Sequence, residues 1–218
     1  MTSMVMPALI NADLRQTVIV QGHALPWIPS PQAGVERRLL FRIGQEQARA
    51  TSLVRYAPGS RFNAHAHPGG EEFLVLEGVF EDEQGQYPVG SYIRNPPGSQ
   101  HSPGSAQGCV IFVHLRQFHP EDHERVVAQV PEQGDQLLWQ SIHERVWVQQ
   151  AQPGQTLNIA NPRGLELFVL DGQLQGDDFA LRPWSWMRRP PGAAVQAVAG
   201  DAGARIWIKD AALDLTAC

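Results

Sequence analysis

Residues 59–78 read Gly59-Ser60-Arg61-Phe62-Asn63-Ala64-His65-Ala66-His67-Pro68-Gly69-Gly70-Glu71-Glu72-Phe73-Leu74-Val75-Leu76-Glu77-Gly78, and residues 90–101 read Gly90-Ser91-Tyr92-Ile93-Arg94-Asn95-Pro96-Pro97-Gly98-Ser99-Gln100-His101. Reduced to spacing, these are G-x5-H-x-H-x3-E-x6-G and G-x5-P-x-G-x2-H. On a strand, residues i and i+2 share a face, so His65 and His67 can offer two imidazoles into one cavity. The Pro68-Gly69-Gly70 turn reverses the chain and returns Glu71 on the neighbouring strand, while His101 follows a tight Pro96-Pro97-Gly98 turn and supplies a third imidazole. Three nitrogens and one carboxylate oxygen suit a borderline divalent ion such as Fe(II), Mn(II), Ni(II), Cu(II) or Zn(II), not the all-oxygen cage of calcium. Any one of these histidines alone would read as an ordinary surface or core residue. The four residues together read as one metal site.

Working outward, both blocks recur. Pro58-Gly59, Glu72–Gly78 and Arg94–Gly98 return in order as Pro153-Gly154, Glu166–Gly172 and Arg188–Gly192. The last two blocks keep an offset of 94 residues, and one deletion separates them from the first. The match extends from Gly108 and Ile111-Phe112-Val113 to Gly203 and Ile206-Trp207-Ile208. Two copies of one β-domain therefore fill most of the chain, with the junction near residues 119–135 and the expected division at 1–118 and 119–218. The second copy loses the chemistry. By the same offset His65, His67, Glu71 and His101 become Ile159, Asn161, Leu165 and Val195, or, with the deletion counted, the first two become Ala160 and Pro162.

The rest of the chain agrees with an all-β reading. Short runs rich in β-branched and aromatic residues, Thr17–Val20, Arg38–Ile43, Thr51–Tyr56, Glu72–Leu76, Gly90–Arg94 and Val110–Leu115, lie between glycine and proline turns, the pattern of a sandwich or barrel. The fair helical candidate is 119–130, where Pro120 could take the first position, although this stretch reads equally as a linker. The chain has 218 residues, 43% hydrophobic and 18% charged, enough to bury a core. Its 20 glycines and 17 prolines are scattered as turn punctuation, which excludes a collagen-like repeat and disfavours a helical bundle. A net charge of −5 with no basic stripe gives no footprint for nucleic acid. Two cysteines, Cys109 and Cys218, cannot build a disulfide framework and fit a reducing cytoplasm. The N-terminal stretch lacks the pattern of a secretory signal, and no apolar run is long enough to span a bilayer, so no membrane partner is expected.

Other side chains carry weaker signals. His114 could face the cavity or be a satisfied barrel histidine. His119 and His123 have the i, i+4 spacing of a helical metal pair but lack a further ligand in sequence. Tyr92 and Arg94 share a strand face and, if inward, would orient a substrate. Arg163, Arg188 and Arg189 could line an anion pocket or a solvated surface. Cys109 reads as a small apolar residue at a strand start.

The paired motifs resemble those of the cupin superfamily, with Ser105 where an asparagine is often found four residues after the last histidine. That resemblance implies an antiparallel jelly-roll barrel for each half, hence a bicupin, and a commonly dimeric protein. It also selects Glu71 over Glu72 as ligand, since only Glu71 leaves six residues before Gly78. Glu72 then points to the opposite face with Leu74 and Leu76, in a structural polar pair kept as Glu166 in the second copy. Beyond this, residues 25–118 resemble the cupin domain of the ChrR anti-sigma factors, which respond to singlet oxygen and related oxidative stress. The resemblance implies that His65, His67, Glu71 and His101 bind a divalent metal such as zinc, iron, manganese or nickel. The sigma-binding part of that family, a helical domain with a zinc-holding histidine and CxxC pair, has no counterpart in these 218 residues. The expected role is a regulatory or sensor protein answering to a small ligand or oxidant and passing the change to a protein partner. The alternative is a metal-dependent enzyme, a β-diketone-cleaving dioxygenase or an isomerase, with no general base identified.

Overall fold

The structure is a computed structural model and describes residues 7–45 and 47–214. Cys218 and the first residues of the N-terminal stretch lie outside them. Apart from a 3-10 turn at Gly22–Ala24, the described residues form strands and turns, and no helix among them is long and apolar enough to cross a membrane. The fold is all-β, built as two tandem jelly-roll barrels.

The chain divides into two compact units, one of residues up to Ala12 with Pro26–Gln129, the other of Asp13–Leu25 with Val130 onward. In the first unit the antiparallel order is Leu9–Ile10, Val35–Ile43, Arg49–Tyr56, Cys109–Leu115, Glu71–Asp82, Ser91–Asn95 and Val126–Gln129. A separate pair, His65–His67 with Ser99–His101, completes the barrel wall. The second unit repeats the plan with Gln136–Gln140, Glu144–Ala151, Gly192–Ala211, Leu165–Gln175, Ser185–Arg189 and Val18–Gln21.

All six strands expected from the sequence form; five lie within a few residues of their expected bounds, and the one expected at Glu72–Leu76 runs on to Asp82. Two segments differ in where they belong. The strand expected at 17–20 pairs with Ser185–Arg189 and so joins the second unit. The stretch 119–130 is no helix: it turns at Pro120-Glu121 and ends in Val126–Gln129, paired to Ser91–Asn95 in the first unit. Val126 and Ala128 are half-buried while Val127 and Gln129 are exposed, the period of two that a strand imposes. Gln129 fixes the register by accepting from the Ser91 hydroxyl at 3.2 Å and donating to the Val89 carbonyl at 2.9 Å.

The repeat has a physical basis. Gly78 and Gly172, the last residues of the two matching blocks, both have positive φ, and a Cβ at either would collide with the backbone carbonyl of Gly108 or Gly203. Glu72 and Glu166 also do the same work, as the sequence implies. The buried Tyr92 hydroxyl donates to Glu72 at 2.6 Å, and the buried Trp186 indole donates to Glu166 at 2.7 Å. Strong buried hydrogen bonds to carboxylates thus brace the same strand pair in each barrel.

Candidate metal centre

His65 and His67 project from one short strand, and His101 faces His65 across the pairing with Ser99–His101. The carbonyl of His67 accepts from the N–H of Gly70 at 3.0 Å and of Gly98 at 2.9 Å, so one backbone group ties both turns together. Gly70 has φ 75°, and a Cβ there would strike the Phe118 ring. This turn delivers Glu71 as the first residue of the long strand Glu71–Asp82.

The three imidazoles form one group whose ligand atoms lie within 4.8 Å of one another. Nε2 of His67 and Nε2 of His101 face each other at 3.0 Å, and Glu71 Oε2 lies 3.6 Å from the first and 3.4 Å from the second. Two ring nitrogens at hydrogen-bond distance can share only one proton, so this convergence of lone pairs on a buried carboxylate fits a cation. The outer nitrogens are fixed as a metal site requires. Asn63 O can only accept, so His65 Nδ1 at 3.2 Å carries a proton and leaves Nε2 as the donor atom. His101 Nδ1 lies 3.5 Å from the buried carboxylate of Asp82. Asn95, opposite Glu71 across the strands, brings its amide to 3.5 Å from Glu71 Oε2.

Without a cation the cluster titrates as buried groups do. Burial, reinforced by His101 and His65, pushes His67 down to about 3. Burial likewise lowers His101, with the neighbouring His65 adding to the shift. Glu71 is pushed up to about 8 by burial, against the opposing hydrogen bond from Asn95 and with Asp82 adding repulsion. Neutral imidazoles are the form that ligates metal, whereas Glu71 must lose a proton to do so.

His65, His67 and Glu71 also line a cavity of 480 Å³. Its other walls include Val54, Ile111 and Val113, and the polar side chains of Arg37, Arg42 and Tyr56. Burial holds the Tyr56 phenol far above its ordinary range, with Glu71 adding to the shift, so Tyr56 keeps its proton. The arginines and Tyr56 escape sequence reading. The signal for Tyr56 is the alternation Ala50, Ser52, Val54, Tyr56 on Arg49–Tyr56; the arginines carry none, since only the bulge between Leu39 and Phe41 turns Arg42 to the same face as Arg37.

Several other residues singled out in the sequence sit elsewhere. Tyr92 and Arg94 do not reach the cavity: Tyr92 holds Glu72, and Arg94 is fully buried, pairs with Asp122 at 2.8 Å and stacks over Phe118. His114 is buried on the face opposite the lining residues Ile111, Val113 and Leu115, its ring 4.8 Å from that of Phe112. His119 and His123 share no helix; His119 Nδ1 accepts the Glu121 N–H at 3.2 Å and His123 is exposed. Ser105 is buried and donates to the Val79 carbonyl at 2.6 Å. Cys109 is buried, its thiol pushed up to about 11 by desolvation. Arg163 pairs with Asp210, Arg189 with Asp178, and buried Arg188 donates to the Asp13 carbonyl, so these three form no anion pocket.

In the second barrel Val195 pairs with Ile159 just as His101 pairs with His65, which selects the uninterrupted 94-residue offset for the first ligand position. Ile159, Leu165 and Val195 are buried in one apolar cluster, and Asn161 donates to the Pro190 carbonyl at 2.7 Å.

A family model described as the ChrR cupin-like domain matches residues 15–119. Among solved structures, a candidate dioxygenase from Nostoc punctiforme PCC 73102 superposes with TM-score 0.74 at 17% identity, covering 91% of this chain and 84% of that one. The pirin YhhW of Escherichia coli, in complex with nickel(II), gives TM-score 0.72 at 14% identity over 91% of this chain and 100% of that one. A cupin 2 conserved barrel protein from Leptotrichia buccalis gives 0.59 at 13% identity, with coverages of 94% and 100%. At these identities the likeness shows the fold. No protein of curated description matches the chain.

Proposed function

We propose that this chain, which belongs to the cupins and carries a ChrR cupin-like domain in its first half, holds one divalent transition metal through His65, His67, Glu71 and His101 and acts on a small molecule admitted to the adjoining cavity. The observation that carries this reading is that three of the four proposed ligands, His65, His67 and Glu71, also line a cavity of 480 Å³, within the size range of small-ligand sites. The reaction class we favour is oxygen-dependent cleavage of a small carbonyl compound. O2 is the oxidant, one carbon–carbon bond breaks, and both oxygen atoms enter the products, so that a β-diketone yields a carboxylic acid and a 2-oxo carbonyl compound. When bound, the metal supplies Lewis acidity and, if it is iron, electrons for oxygen chemistry.

The chain's own groups do the rest. Asn95 orients Glu71, the buried Asp82 carboxylate faces His101 Nδ1 at 3.5 Å and favours a proton there, and the Asn63 carbonyl sets the tautomer of His65. Tyr56, kept protonated, offers a hydrogen-bond donor to a carbonyl oxygen, while Val54, Ile111 and Val113 keep water from the body of the substrate. The resemblance of the fold to a candidate dioxygenase and to a nickel-binding pirin supports a metal-dependent role. The match to the ChrR cupin-like domain favours a second reading, in which the same centre senses a ligand or oxidant and signals to a protein partner.

The test begins with metal analysis of protein purified without added metal. One metal per chain in the wild type and its loss in the His65→Ala, His101→Ala double variant are expected; equal content in both sinks the ligand assignment. Oxygen uptake by Fe(II)-loaded protein against β-diketones and small keto acids then separates the readings. Turnover supports the enzyme. Redox-inert zinc in the native protein, no turnover with any metal and recovery of a sigma factor in a pull-down would establish the sensor instead.

A further inference from the structure

We propose that Arg37 and Arg42 form an anion-binding subsite in the first-barrel cavity, and that the molecule taken there is a small organic carboxylate with an apolar body; this deepens the reading of that cavity as a substrate site. Both arginines come from Val35–Ile43, and both line the cavity because the bulge between Leu39 and Phe41 restores Arg42 to the inward face. Among the described residues the Arg37 guanidinium makes no hydrogen bond or ion pair. Arg42 is 7% exposed; one Nη donates to the Gln45 carbonyl, and its Nε is buried without a partner.

Arg55, Arg94, Arg163 and Arg189 each face a carboxylate. On the cavity wall, where Arg61 adds a third cation, Arg42 faces the positive charge of Arg37, and burial disfavours the charged form of both. Desolvated cations without a counter-charge are costly, so a pair of them on a cavity wall implies an anion that enters. The sole acid lining the cavity is Glu71, whose oxygen is engaged by Asn95 and the imidazoles. A guanidinium plane matches a carboxylate with two parallel hydrogen bonds. The apolar wall of Val35, Val54, Ile111, Val113 and Leu115 suits a hydrocarbon body and offers nothing to a highly hydrated phosphate.

The probes are benzoylformate and 4-methyl-2-oxopentanoate, each compared with its methyl ester, bound by calorimetry to the full chain with and without metal. Both acids are expected to bind metal-free wild type at least about tenfold more tightly than their esters, and Arg37→Met or Arg42→Met to erase that preference with metal content unchanged. Arg37→Lys keeps the charge but not the fork, and should retain part of the preference, which guards against a variant that merely misfolds. Equal binding of acid and ester, no binding of either acid at about 10 mM, or an undiminished preference in both methionine variants overturns the subsite. Failure of the metal assignment shows separately, as loss of metal stoichiometry in wild type while the acid preference stands.

Discussion

The two barrels share a frame and differ in what the frame encloses. Each braces its central strands with a buried carboxylate, Glu72 to Tyr92 in one and Glu166 to Trp186 in the other, and each turns at a glycine no other residue could replace without a backbone clash. At the ligand positions the chemistry diverges completely: Ile159, Asn161, Leu165 and Val195 stand where the first barrel has His65, His67, Glu71 and His101. The lining diverges too. Ser52 lies opposite Val113 and lines the first cavity, whereas Trp147 lies opposite Ile208, packs against the apolar cluster and, with Ile159, lines a pocket of 440 Å³ in the second barrel. Features kept in both copies therefore serve the sheet, and features confined to the first serve the site.

Grafting the second barrel's filling onto the first gives the largest expected effect. Ser52→Trp should occupy the cavity, weakening small-molecule binding about a hundredfold while metal content stays at the wild-type value. Because the cavity has room for an indole, unfolding midpoints should hardly move. A drop of about 1–3 kcal/mol would instead signal overpacking and a site with no open space.

Next come the braces. Tyr92→Phe removes one donor from a buried carboxylate and should cost about 1.5–3 kcal/mol. Trp186→Phe should cost more, since it also removes buried volume. Denaturant titrations with parallel metal analysis check both. If Tyr92→Phe strips the metal without destabilising the chain, Tyr92 belongs to the site and the division between frame and site fails.

What the sequence disclosed follows from what a strand's geometry can fix locally. His65 and His67 are legible because a period of two forces them to one face, and Glu71 and His101 because a turn of fixed length precedes each. The pairing of Glu72 is legible from its return as Glu166 when the metal ligands do not return. Arg37 and Arg42 are not, because a one-residue bulge reverses the alternation between them, and nothing in the local pattern marks it. The partners of Val18–Gln21 and Val126–Gln129 are hidden for another reason. Four alternating residues announce a strand but not which barrel it joins: Val18–Gln21 joins the unit whose main part begins at Val130, and Val126–Gln129 closes the first unit instead of opening the second. Asp82 is obscured by distance: it sits at the far end of a twelve-residue strand from Glu71, and only barrel curvature returns it to His101.

The smallest expected effect is a slope with pH in the metal-free chain, set at neutral pH by the first barrel's Glu71. Glu71, raised from 4.5 to about 8, binds its proton more tightly folded than unfolded, so its contribution to stability declines as pH rises through that interval. His67, lowered from 6.5 to about 3, is protonated first in the unfolded chain, so stability declines as pH falls through 6.5 toward 3. The two slopes oppose each other between 4.5 and 6.5, and above 6.5 only that of Glu71 remains. Leu165 and Asn161 titrate nowhere. Replacing Glu71 by the second barrel's residue, Glu71→Leu, should therefore flatten the limb between pH 6.5 and 8 and leave the acid limb of His67 unopposed, hence steeper, between 4.5 and 6.5, as read from urea midpoints of metal-stripped protein. The same proton links stability to loading: at pH 7 wild type should release about one proton per metal bound, detectable by calorimetry in buffers of different ionisation enthalpy. Loading without proton release would mean that Glu71 is already ionised, or that the metal is held by the imidazoles alone.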